Sequence, residues 1–129
     1  MTDTALAPAT SDAADRSAGR LARFLTFAGV SHFVVPGFYE AIVPRWIGHE
    51  KAVVRWSGVV EIVAGALVAA PRTRKVGGWV ALLTFIGVYP ANIQMAVTAG
   101  KPHDAESTAI WLRLPLQFPM FAWAYKHTR

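Results

Sequence analysis

Cysteine is absent from this sequence, which removes disulfides, thiolate nucleophiles and cysteine-built zinc or iron–sulfur centres from consideration. Charge is scarce as well. Asp, Glu, Lys and Arg make up 16% of the 129 residues, against roughly 25% in an average soluble protein. Acidic residues are the scarcer half, 8 against 13 Lys and Arg, for a net charge of +5. A basic excess can mark a nucleic-acid binder, but such a protein gathers Lys and Arg on one face or stripe. Here they fall in short clusters between apolar runs, as a membrane protein places them, so nucleic acid is not an expected partner. Large apolar groups are nearly missing from residues 1–19, which are rich in Ala, Thr, Ser and Asp. That composition predicts a disordered tail. The first apolar run begins only near Leu21 and leads into His32 and Pro36. It lacks the pattern of a cleaved secretory signal and is read as retained.

What is abundant is apolar: 53% of residues, with a mean hydropathy of +0.33. The length allows one domain at most. The pattern predicts an all-α fold, a transmembrane antiparallel four-helix bundle with spans at about 20–35, 52–70, 76–99 and 107–125. Residues 20–125 form the membrane domain, and 126–129 a short tail. Pro36 and Gly37 end the first span. The stretch through Gly48, with Phe38, Tyr39 and Trp46, reads as an interfacial segment and partial helix. Pro71 closes the second span, and the basic turn from Arg72 to Lys75 forces a helical hairpin. A soluble bundle would show a polar face at the 3.6-residue period, yet the runs from Ile62 to Ala70 and Val76 to Tyr89 are apolar almost all round.

Orientation follows from Lys and Arg beside the spans. Eight (Arg16, Arg20, Arg23, Arg72, Arg74, Lys75, Lys126, Arg129) fall on one side and four (Arg45, Lys51, Arg55, Lys101) on the other. The positive-inside rule then puts both termini in the cytoplasm.

Five polar residues within the spans stand out: His32, Glu61, Asn92, Arg113 and Gln117. At 1.5 Å of rise per residue they lie roughly 6 to 13 Å from the outer ends, all in the outer half. Such residues are costly in hydrocarbon and face the bundle interior with partners. The expectation is a cluster in which Glu61 pairs with Arg113 while His32, Asn92 and Gln117 supply hydrogen bonds. It could fix helix packing, hold a ligand such as a quinone head group, or carry a proton. Small Gly58 and Gly65 flank Glu61 on one helix face, so a neighbour can approach closely. His49 and His103 lack partners at metal-ligand spacing, and no metal site is expected. Gly77-Gly78 has no Walker pattern and reads as helix packing. No catalytic constellation stands out, which leaves enzymatic activity undecided.

The order of Ser31-His32-Phe33, Pro36, Phe38, Tyr39, Val43-Pro44-Arg45-Trp46, Ser57-Gly58-Val59-Val60-Glu61-Ile62, Tyr89-Pro90-Ala91-Asn92 and Leu112-Arg113-Leu114-Pro115-Leu116-Gln117 resembles the DoxX-like family of small four-helix bacterial membrane proteins. The resemblance covers residues 20–125 and implies a multi-pass protein of the bacterial plasma membrane. The family takes its name from a subunit of a thiosulfate:quinone oxidoreductase. Two functions follow as expectations. One is a non-catalytic membrane subunit or small-amphiphile-binding protein, with the lipid bilayer, another membrane subunit or a second copy as partner. The other is a quinone-linked oxidoreductase component that takes electrons through a redox enzyme, since the chain offers no redox cofactor site of its own.

Overall fold

The computed structural model describes residues 6–129. It is all-helical: α1 Leu6–Val34, α2 Pro36–Ile42, α3 Glu50–Ala69, α4 Arg74–Ala99 and α5 Ala105–Lys126. No strand occurs among the described residues. Two helices, α3 and α4, are long and apolar enough to cross a membrane, with mean hydropathies of 1.7 and 1.6.

Local chemistry sets the boundaries. A residue preceding proline is pushed out of the helical region, and Val35 before Pro36 duly has φ −127° and ψ 59°. Pro36 then starts α2, where the missing N–H costs nothing. Gly48 and His49 both take positive φ, at 68° and 50°, and turn the chain into α3. Ala70 before Pro71 is extended and ends α3. The orphan carbonyls of that end are taken up by the next turn, Thr73 Oγ1 donating to Leu67 O at 2.7 Å and Arg74 Nε to Val68 O at 2.9 Å. A capping box opens α5: Ser107 N donates to Asp104 Oδ1 at 2.7 Å and Asp104 N to Ser107 Oγ at 3.1 Å. The backbone and hydroxyl donors of Ser107 hold the Asp104 carboxyl below the usual carboxylate range.

α1 packs antiparallel on α3, α3 forms a tight hairpin with α4, and α4 packs on α5. The end of α5 returns to α1, where Trp123 Nε1 donates to Ser17 Oγ at 3.0 Å and the same hydroxyl bonds His127 Nε2 at 3.1 Å. Arg74 of the hairpin meets Asp15 at 2.8 Å. Three basic clusters, around Arg16, Arg72 and Lys126, therefore converge on one end of the molecule. His127 is buried there; burial first, then the neighbouring cations Lys126 and Arg74, push its imidazole below its ordinary value.

The expected disordered segment differs from what is found. Residues 6–19 continue α1, because Asp15, Ser17 and the fully buried Ala18 gain partners on the hairpin and α5; residues 1–5 of that segment lie outside the described residues. Elsewhere α3, α4 and α5 begin and end within two residues of the helical stretches expected at 52–70, 76–99 and 107–125.

The interior is built of small side chains. Ala18, Ala22, Ala64, Ala81 and Ala124 are buried, and among the described residues Leu21, Leu25 and Val68 are the largest side chains fully enclosed. Large apolar groups lie outside: Phe27 is 76% exposed, Trp56 69% and Leu83 63%. Small residues let backbones meet, most tightly between α1 and α3. A Cβ on Gly58 would stand 2.8 Å from the Phe33 ring and 2.9 Å from both Gly29 O and His32 Cβ.

Replacing Gly58 with Leu is expected to force α1 and α3 apart and cost about 1 to 3 kcal/mol or more. Gly37→Ala, whose Cβ would meet nothing within 4 Å, is the matched control. Thermal unfolding of the purified variants measures the difference.

Candidate functional site

All five polar residues singled out in the sequence line one cavity of about 890 Å³. They arrive from four helices, His32 from α1, Glu61 from α3, Asn92 from α4, Arg113 and Gln117 from α5. Most of the remaining wall is apolar, including Phe24, Phe27, Trp56 and Phe85.

Glu61 lies on the face of α3 that is pressed against α1 between Gly58 and Gly65. It is only 6% exposed, and His32 opposite is 7% exposed. His32 Nδ1 stands 3.3 Å from Glu61 Oε2, but the ring's proton is directed at the Ala28 carbonyl, 2.7 Å away. The two groups therefore touch without a hydrogen bond between them, and Glu61 Oε2 is enclosed with no donor. A buried polar atom in that state is uncommon and calls for an explanation.

The expected Glu61–Arg113 pair is not formed. α3 packs on α1 and α4, while α5 packs on α4, so the two side chains reach the cavity from non-adjacent helices. Glu61 takes His32 as its neighbour, and no carboxylate lies within 4 Å of Arg113 among the described residues. Arg113 is exposed and makes only a long contact of 3.8 Å to Met95 Sδ.

Asn92 and Gln117 do meet. Asn92 Nδ2 donates to Gln117 Oε1 at 3.1 Å, and Gln117 Nε2 donates to the Phe85 carbonyl at 3.3 Å. Pro90 has no N–H for the Ile86 carbonyl one turn back; the carbonyl that the Gln117 amide takes is the neighbouring one, of Phe85.

Tyr39 was missed as a member of the site. The break at Pro36 folds α2 back, and the Tyr39 ring stacks on His32 with centroids 3.8 Å apart and planes 14° from parallel. Its hydroxyl bonds Ser31 Oγ. The sequence signal was Ser31-His32 followed across a proline by an amphipathic ring, which reads equally well as an interfacial anchor.

His103 sits 3.5 Å from Asp104 on an exposed surface. No group of three or more His, Asp or Glu poised to hold a metal occurs among the described residues. The cavity's chemistry is thus a buried carboxylate beside an imidazole and a stacked phenol on one wall, with a guanidinium and a paired amide on the other. Such a site can orient a polar head against an apolar tail.

A family model described as a domain of unknown function, DUF8561, matches residues 21–128, and the chain belongs to that family. No curated protein and no solved structure matches it.

Gln117→Leu removes a partner from both Asn92 and the Phe85 carbonyl and is expected to cost about 1 to 3 kcal/mol. Arg113→Gln, which breaks no ion pair, should stay within about 0.5 kcal/mol of the parent. Equal losses in chemical or thermal unfolding would restore the Glu61–Arg113 pairing.

Proposed function

We propose that this protein is a multi-pass integral membrane protein of the bacterial plasma membrane whose cavity binds a small amphiphile. In this reading α1, α3, α4 and α5 form a DoxX-like four-helix bundle with both termini cytoplasmic. The reading is supported by the two helices of membrane-crossing length and by the large apolar side chains on the exterior. It is supported also by the interior of Ala and Gly, as expected where lipid removes the hydrophobic drive and close backbone packing takes over. The convergent basic end would be the cytoplasmic one.

The observation that carries the binding function is that polar side chains from four helices open into one largely apolar cavity. Polar groups in a span that served packing alone would be fully paired to one another. Instead, among the described residues, Glu61 Oε2 accepts no hydrogen bond and Arg113 has no carboxylate within 4 Å. Mostly apolar walls with a few convergent polar groups are the usual make-up of a small-molecule site. A quinone-linked role beside a redox enzyme is the second reading, resting on the DoxX-like resemblance.

Mass spectrometry of the chain extracted gently from native membranes is expected to find one amphiphile bound per chain. Gly87 lines the cavity and a Cβ there meets nothing within 4 Å, so Gly87→Phe should fill the space and release the molecule while the helices persist. Equal recovery of the amphiphile with the parent and with Gly87→Phe would contradict the assignment, and co-purification of a flavin or haem enzyme would favour the second reading.

A further inference from the structure

Resting on the binding function above, we infer that the amphiphile carries a hydroxyl head, a neutral group that donates a hydrogen bond to the Glu61–His32–Tyr39 corner, and that heads with acceptors alone are disfavoured. The reason is where the protons in that corner already are. A carbonyl oxygen can only accept, so the 2.7 Å contact to Ala28 O puts a proton on His32 Nδ1. In the neutral ring Nε2 is then an acceptor.

Ser31 Oγ donates to the same Ala28 carbonyl at 2.6 Å, which uses its single proton. Tyr39 must therefore donate in its bond to Ser31 Oγ, and the phenol oxygen keeps only lone pairs for any further partner. In its carboxylate form Glu61 is acceptor-only as well, and no group among the described residues donates to its Oε2. Three side chains from three consecutive helices thus offer lone pairs at one corner of the cavity. Ser57, one turn along α3 from Glu61 and also on the wall, brings a hydroxyl that can act either way.

The other wall has the opposite character. Arg113 presents guanidinium N–H groups with no carboxylate within 4 Å among the described residues. Asn92 and Gln117 each spend one amide proton on their mutual and backbone bonds and keep a second. A head that both donates and accepts matches this division, and a hydroxyl does both. An ammonium would meet Glu61 well but would share the cavity with an unpaired Arg113. An ether or ester could satisfy only the Arg113 side, and would leave the buried acceptors of Glu61 facing other lone pairs.

The test uses the full chain in phosphatidylcholine nanodiscs, whose head groups carry no hydrogen-bond donor, with dodecanol, methyl dodecyl ether and dodecylamine as probes of matched tail. Native mass spectrometry of the ejected chain should show dodecanol bound about tenfold more tightly than the ether, the factor that one charge-assisted hydrogen bond supplies. In Glu61→Gln, where an amide donor replaces an acceptor, that preference should fall towards parity. Should the variant fail to fold, the comparison of probes on the parent chain decides by itself. Ether bound as tightly as alcohol would overturn the inference while leaving the cavity a binding site. Dodecylamine bound more tightly than dodecanol would overturn the neutral head. No probe bound at all would overturn the inference together with the binding function beneath it.

Discussion

At Gly29 and Gly58 the backbones of α1 and α3 come so close that a Cβ on either would stand 2.7 or 2.9 Å from the other's carbonyl oxygen. Gly65 repeats the contact two turns away, against Thr26 and Ala22. The rest of the interior depends on this approach. It brings His32 against Glu61, and it encloses the carboxylate so far that a donor must come from the protein or from a bound molecule. The His32 proton is committed to Ala28, so the protein does not supply one.

The same helix pair explains the shape of the cavity. α1 and α3 meet without a gap, and α4 and α5 are joined through the Asn92–Gln117 amides. The space between the two pairs is closed at the basic end, where Ser17, Trp123 and His127 tie α5 to α1. It is lined further along by Phe27, Tyr39, Trp56 and Val60. Ion pairing plays little part: among the described residues, the one acid–base contact in the core is that of the His32 imidazole with the Glu61 carboxyl. Small-residue packing and amide hydrogen bonds do the positioning.

Much of this was legible in the sequence, and the reasons differ by feature. Helix ends were readable at Pro36, Pro71 and the positive-φ Gly48, where local sterics stop the helix, whereas Pro90, Pro115 and Pro119 lie inside α4 and α5. The membership of the cavity was readable because a polar side chain in an apolar run has few places to go. The pairing within it was not. Helical spacing puts Glu61 and Arg113 at similar depth, and the short basic turn gives the α3–α4 hairpin, but that the glycine face of α3 meets Gly29 of α1 is a three-dimensional match that spacing along the chain does not give. Tyr39 was hidden for a related reason, since its place on His32 depends on how sharply the chain folds back at Val35. The helical stretch before Arg20 was hidden because its partners, Arg74, Trp123 and His127, are distant in the chain.

The central claim is that the apolar exterior faces lipid while the polar side chains face one another across the cavity. The chain has no cysteine, so single cysteines report without background. A membrane-impermeant maleimide applied to intact cells should label Lys101→Cys, and should reach Thr128→Cys only after the membrane is opened. It should not label Leu83→Cys, on the exposed face midway along α4, in either case. Ready labelling at position 83 in the folded protein, or labelling at position 128 from outside, would contradict the account.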